Sequence, residues 1–340
     1  MHTEGEPLRV IVSGFPMPRG DDVLARRRDA MERFDGLRRM LMWEPRGHKD
    51  MYGCLVMPPV TGGADFSVLF MHNDGFSTMC GHAIIAVSCL AALGGTACQF
   101  GADGEGDTGL PAPASIDHHA RMAIDTPAGL VKARASARGD GAGKATFVNV
   151  PSFVAALDEK VDVPGLGTVK FDVAFGGAFY AFVDAGELGL SLTPDAASEL
   201  VRAGRAVKAA VRAGGEPRHP DSGDLSFLYG VVFTGPAHDG AHHSRHVCVF
   251  ADGEVDRSPT GTAVSGRLAI LDARAQLQQG APIIVESISG GRFTGRVTGR
   301  TSVGRRPAII PEIGGRAFVT GRHEFTADPA DPWREGFLVR

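Results

Sequence analysis

Two short runs in this chain set a reactive side chain just ahead of small residues: Met79-Cys80-Gly81-His82 and Asp256-Arg257-Ser258-Pro259-Thr260-Gly261-Thr262. Each opens a segment, Cys80 to Leu93 and Thr260 to Leu277, that is small and apolar nearly all round, the composition of a helix buried on every side. A thiol at a helix start sits where unpaired backbone N–H groups and the helix dipole favour an anion, so Cys80 can serve as a thiolate base near neutral pH. The N–H groups of Gly81 and His82 at one start, and of Gly261 and Thr262 at the other, can hold a carboxylate, and glycine lets the backbone approach closely. Two helix ends on one carboxylate would also stabilise the enolate-like charge left when an α-proton departs. Taken alone, Cys80 reads more readily as a buried small hydrophobe, like Cys54 or Cys89, and Asp256 has an alternative as a helix or turn cap.

The elements that must position these residues are sparse in helix. Glycine (46) and proline (21) make up about a fifth of 340 residues, which fits many short strands joined by tight turns. One amphipathic helix is expected from about Asp22 to Trp43, capped by the Asp pair, with Val23, Leu24, Met31, Phe34, Leu37 and Leu41 near a 3.6-residue period. Another is expected from Pro194 to Ala213, with Thr193 as its cap and Gly214-Gly215 as its stop. Alternating apolar strands are expected near Met51 to Met57 and Phe66 to Met71, and again near Leu225 to Thr234 and Val247 to Phe250. Each half thus reads as a long amphipathic helix, then strands, then a small-residue helix. That order is a weak internal duplication in which Cys80-Gly81-His82-Ala83 answers Thr260-Gly261-Thr262-Ala263. Two similar domains facing each other would bring both helix starts to one cleft. The polar stretch from Gly101 to Gly109 reads as a surface loop, and the strand-rich run from Arg121 to Phe153 as the domain crossover.

Composition narrows the function. A chain of this length with 43% hydrophobic residues can bury a large core and exceeds the usual size of one domain. Its net charge is -4 and its basic residues are scattered, so no footprint for nucleic acid or anionic lipid appears. No apolar run approaches a membrane span and no signal-peptide pattern opens the chain, so a cytosolic protein with a small-molecule partner is expected. Five cysteines (Cys54, Cys80, Cys89, Cys98, Cys248) without close CxxC spacing argue against a disulfide framework and a structural zinc site. The clusters His242-His243-Ser244-Arg245-His246 and His118-His119 read as solvated turns rather than metal ligands. Gly290-Gly291 lacks the strand-turn-helix setting of a nucleotide loop. Neither metal nor organic cofactor is expected.

His2-Thr3-Glu4-Gly5-Glu6-Pro7, Glu44-Pro45-Arg46-Gly47-His48, Met79-Cys80-Gly81-His82 and Asp256-Arg257-Ser258-Pro259-Thr260-Gly261-Thr262 together resemble the signatures of the proline racemase family, and Ala308-Ile309-Ile310-Pro311 and Asp331-Pro332 extend the likeness to the tail. The resemblance implies an α/β fold of the diaminopimelate-epimerase type: two similar domains, each a curved, mostly antiparallel sheet around a central helix, with the active site in the interdomain cleft. The expected division is residues 1–145 with 316–340, carrying Cys80, and 146–315, carrying Asp256 and Thr260. It further implies that Asp256 accepts hydrogen bonds from a substrate's ring ammonium, and that the chain forms a homodimer. Members usually carry several strand residues ahead of the His-Thr motif, so either a shortened first strand or a misassigned start is expected here.

One departure from the family selects the chemistry. Racemases and epimerases of the group carry a second acid-base cysteine where this chain has Thr260, and a threonine hydroxyl is far too weakly acidic to alternate between base and acid at neutral pH. A first-site cysteine with a second-site threonine resembles the members that dehydrate trans-3-hydroxy-L-proline, and Tyr229-Gly230 stands where hydroxyproline epimerases typically show a histidine. In that substrate the 3-hydroxyl lies on the same face as the α-hydrogen, so one group above that face could remove both. Thr260 would orient the substrate on the opposite face or cap its helix. Racemisation of proline, epimerisation of 4-hydroxyproline and binding without catalysis are the competing expectations.

Overall fold

The computed structural model of the chain describes residues 1–94, 118–138, 141–278 and 280–339. They fall into two compact units: Met1–Thr3, Pro7–Phe147 and Arg316–Arg340 form one, Glu4–Glu6 and Val148–Gly315 the other.

The first unit holds β1 (His2–Thr3) and β3 (Arg9–Ile11), and the short β2 (Glu6–Pro7) starts in the second unit and ends in the first. β3 pairs in parallel with β4 (Tyr52–Met57), β4 antiparallel with β5 (Phe66–His72), β5 in parallel with β6 (His118–Thr126), and β6 antiparallel with β7 (Gly129–Ala137). Parallel neighbours need a long crossover. The first crossover carries α1 (Val23–Arg33) and α2 (Asp35–Met42), the second α3 (Gly81–Ala92). Every residue of α3 except Ala91 is buried, against β1, β6 and β7. Each of its fully buried Ile and Val side chains contributes about 1.5–3 kcal/mol relative to exposure. Leu41 and Met42 of α2 pack on Leu55, Met57, Leu69 and Met71 from the sheet.

The single helix expected over Asp22 to Trp43 is two. Asp22 caps α1 as expected, its Oδ1 accepting from the Ala25 N–H at 2.6 Å. The helix then breaks at Phe34, at φ −125°, because Asp35 opens a new first turn and its carboxylate takes Arg38 at 2.6 Å and Arg39 at 2.8 Å. Two arginines on one carboxylate outweigh continuity of the apolar stripe.

β8 (Ala142–Val148) carries the chain into the second unit, where β9 (Ser152–Val163), β10 (Gly167–Phe175) and β11 (Phe179–Asp184) pair antiparallel in turn. β11 then pairs in parallel with β12 (Leu228–Gly235) across a crossover holding α4 (Ala197–Ala213), which a 3-10 turn at Pro194–Ala196 precedes. β12 runs antiparallel to β13 (Ser244–Phe250), which has the short β14 (Glu254–Val255) beside it. β13 pairs in parallel with β15 (Ile283–Glu286) across α5 (Gly261–Ala273), and β15 runs antiparallel to β16 (Arg292–Val303). Beneath these strands the rings of Phe153, Phe175 and Phe179 pack with centroids 4.9–5.8 Å apart. Gly176 permits the close approach of α5: a Cβ there would lie 2.1 Å from the Thr262 carbonyl oxygen.

β17 (Arg306–Phe318) pairs antiparallel with β16 and ends in the first unit, where Ala317 and Phe318 pair with Thr3 and His2 of β1. The expected duplication is therefore real at the level of topology: the order β3–β7 with α3 is repeated by β11, β12, β13, β15 and β16 with α5.

Three further expectations change. α5 ends at Ala273 rather than Leu277, since Ala275 turns to φ +54°. His246 is not in a solvated turn but wholly buried in β13, which starts three residues before Val247, while His118-His119 belongs to β6, with His119 exposed. The stretch from Gly101 to Gly109 and Cys98 lie outside the described residues. No helix among the described residues is long and apolar enough to cross a membrane.

Candidate active site

In the first unit Cys80 is the N-cap of α3, in extended conformation at φ −146°, and 5% exposed. Its Sγ accepts from the Ala83 N–H at 3.4 Å, as a capping oxygen would, and lies 3.0 Å from Nδ1 of His82. In the tautomer that carries its hydrogen on Nδ1, the ring donates to the sulfur. Both contacts suit a sulfur that bears negative charge. The His82 carbonyl accepts from Thr3 Oγ1 at 2.9 Å, which ties the first turn of α3 to β1, and the His82 ring packs edge-on to Tyr52 with centroids 4.8 Å apart. The N–H groups of Gly81 and His82 occupy the first turn, where helix geometry supplies no acceptor from the helix itself. His82 was expected to act through its backbone; that its ring also meets the thiol was not legible from the motif.

The other described thiols are unsuited to proton transfer. Burial pushes Cys54 up strongly and Cys89 to about 12. Cys248 on β13 is raised well above the thiol range by burial and by the charge of Asp256, although it hydrogen-bonds with Thr260.

In the second unit Asp256 leads from β14 into α5 and is 4% exposed. Its Oδ1 accepts from the Ser258 N–H and its Oδ2 from Thr260 Oγ1, both at 2.7 Å. The first contact is the turn cap weighed above; the second binds Asp256 and Thr260 into one unit. Thr260 stands at the N-cap of α5 yet makes no capping hydrogen bond, so that alternative for its side chain falls away. Its φ of +63° is unusual for a β-branched residue and costs of order 1–3 kcal/mol, a strain characteristic of functional positions. Gly261 and Thr262 form the first turn, both buried, and Thr262 Oγ1 is 2.7 Å from the Tyr180 hydroxyl. Tyr229, expected to depart from the epimerases, is 7% exposed and stacks on Phe250.

The Glu4–Glu6 turn belongs to this site. Gly5 adopts φ +96°, and Glu6 Oε2 accepts from the Arg257 N–H at 2.6 Å. Sequence reasoning used these residues only as a family signature, because 250 positions separate Glu6 from Asp256 and no local pattern joins them.

The likeness to known proteins runs the full length of the chain. Residues 1–338 match the family model described as proline racemase. A trans-3-hydroxy-L-proline dehydratase of Colwellia psychrerythraea is 42% identical over all of this chain and 91% of its own length. A 3-hydroxyproline 2-epimerase of Burkholderia multivorans is equally 42% identical, over all of this chain and 97% of its own. The crystal structure of a hydroxyproline epimerase from Agrobacterium vitis, with trans-4-hydroxy-L-proline bound, superposes with a TM-score of 0.86 at 33% identity, covering 99% of this chain and 94% of that one. With Cys80 and Thr260 at two matching helix starts and the family model matched from end to end, the chain belongs to the proline racemase family.

Proposed function

We propose that the protein is a trans-3-hydroxy-L-proline dehydratase that works with one acid-base group. The observation that carries this reading is Thr260: the start of α5 presents a hydroxyl held by Asp256, and the nearby Cys248 thiol is too buried and too weakly acidic to replace a second base. Cys80 takes the α-proton, and the resulting thiol protonates the 3-hydroxyl on the same face, so that the C3–O bond breaks and water leaves. The first-turn N–H groups of Gly81, His82, Gly261 and Thr262 hold the carboxylate and the charge that develops on it. Asp256 receives the ring ammonium, and Thr260 orients the ring from the face opposite Cys80. The product, an enamine pyrroline-2-carboxylate, tautomerises to the cyclic imine in solution. No step of this scheme calls on a metal or an organic cofactor. Dehydratase names among relatives of about this similarity support the reading, and an epimerase name among them supports a second one, α-carbon inversion of a hydroxyproline.

One experiment separates the two. Incubation with trans-3-hydroxy-L-proline in deuterated water is expected to yield the imine, with no inverted, deuterated substrate. Appreciable inversion of that substrate, of proline or of 4-hydroxyproline by the unaltered protein would replace the one-base scheme with the epimerase reading.

A further inference from the structure

We propose that Glu6 is a positioning residue for Asp256: its carboxyl group carries a proton on Oε1 and donates it to the Asp256 carboxylate, fixing that carboxylate toward Thr260 and the substrate's ring ammonium. The inference rests on the role given to Asp256 above.

Glu6 is fully buried. Its Oε2 has a donor, the Arg257 N–H at 2.6 Å, while Oε1 is buried without one, and the side chain it meets is the Asp256 carboxylate. Two buried carboxyl groups in contact cannot both ionise at neutral pH, and a single proton between them turns repulsion into a charge-assisted hydrogen bond. The proton belongs on Glu6. Both oxygens of Asp256 already accept, from Ser258 and Thr260 at 2.7 Å, whereas Glu6 has one backbone donor, complete burial and an Oε1 without a hydrogen-bond partner. Burial first, then the charge of Asp256, pushes the Glu6 carboxyl well above the usual carboxylate range, against weaker opposition from Arg257. From β13 the group is faced by Cys248, a thiol that stays neutral. With Glu6 neutral the pair carries one negative charge, matched to one ammonium.

The test pairs Glu6→Gln with Glu6→Leu. A glutamine carbonyl can accept from Arg257 and its amide can donate to Asp256, reproducing a protonated acid; leucine can do neither. In the full-length protein, Glu6→Gln is expected to keep KM for trans-3-hydroxy-L-proline within about threefold and Glu6→Leu to raise it about tenfold to a hundredfold, with a smaller change in kcat, as loss of a hydrogen bond to a charged group predicts. Infrared difference spectra of Glu6→Gln against the parent should show loss of one protonated-carboxyl carbonyl stretch that persists in the parent at mildly alkaline pH. Absence of that band, or a Glu6→Leu protein with the parent's KM, overturns the proposal. If Glu6→Leu does not fold, the band and the Glu6→Gln kinetics decide it. A parent protein that forms no imine rejects the functional reading, while the infrared band still reports on the Glu6 proton.

Discussion

The two units run the same strand order and bury one helix in the same crossover, but their helix starts are built differently. At Cys80 the backbone is extended and the side chain turns back to cap its own helix. At Thr260 the backbone has positive φ and the side chain turns away to the Asp256 carboxylate, leaving the cap unmade. The shared topology thus sets where a helix start is held, and the N-cap side chain sets what that start can do. One start offers a sulfur that meets a backbone N–H and an imidazole; the other offers a hydroxyl already engaged.

The sharpest way to break this contrast is to remove the sulfur. Cys80→Ser is expected to lower turnover of trans-3-hydroxy-L-proline by about 10²–10⁴-fold, the range for loss of a general base, while circular dichroism stays that of the parent. Activity within tenfold would end the role of Cys80. Next comes the anchor of the other start. Asp256→Ala should weaken pyrrole-2-carboxylate, flat at the α-carbon like the carbanion it mimics, by about tenfold or more in calorimetry, and unchanged affinity would show that the ring nitrogen is read elsewhere.

A third prediction concerns a buried carboxylate that is a fold element rather than a site. Burial alone would raise the Glu286 carboxyl, but the N–H groups of Asp239 and His238 and the side chains of His242 and Arg245 outweigh it and hold it at about 2. Its folded value is thus depressed, so its stabilisation is present above its ordinary 4.5 and is lost as pH falls through about 2. Glu286→Gln should cost about 1.5–3 kcal/mol at neutral pH, and thermal melts of the two proteins should converge on acidification. A difference that grows with acid would contradict these contacts. The smallest expected effect makes the starts alike: Thr260→Cys should introduce detectable deuterium exchange with inversion at the α-carbon of proline, absent in the parent. The rate would be low, since a thiol misplaced by about 1 Å can lose roughly a hundredfold. Complete absence of inversion would show that a thiol at this start does not suffice.

Much of this arrangement is legible in the sequence because it is local. Small, apolar composition marks α3 and α5 as buried helices, and the residues that open them are read directly from the motifs. What escapes is what distance in sequence conceals. The break at Phe34 depends on Asp35 choosing two arginines over a continuous stripe, and His246 looks like part of a polar turn until β13 is extended past it. Glu6 meeting Asp256, and Cys248 meeting Thr260, follow only from the assembled second unit. The catalytic candidates were therefore identifiable one by one, whereas the hydrogen bonds joining Asp256, Thr260 and Glu6 were not.

The path of β17 has a consequence for how the chain is made. β1 pairs with Ala317 and Phe318, so segments at positions 2–3 and 317–318 must meet. At about 5–20 residues per second, synthesis of the roughly 310 residues between them takes some 15–60 s, during which the edge beside β1 stays open. The pairing of β1 with β17 should accordingly be among the last contacts of the fold to form during synthesis.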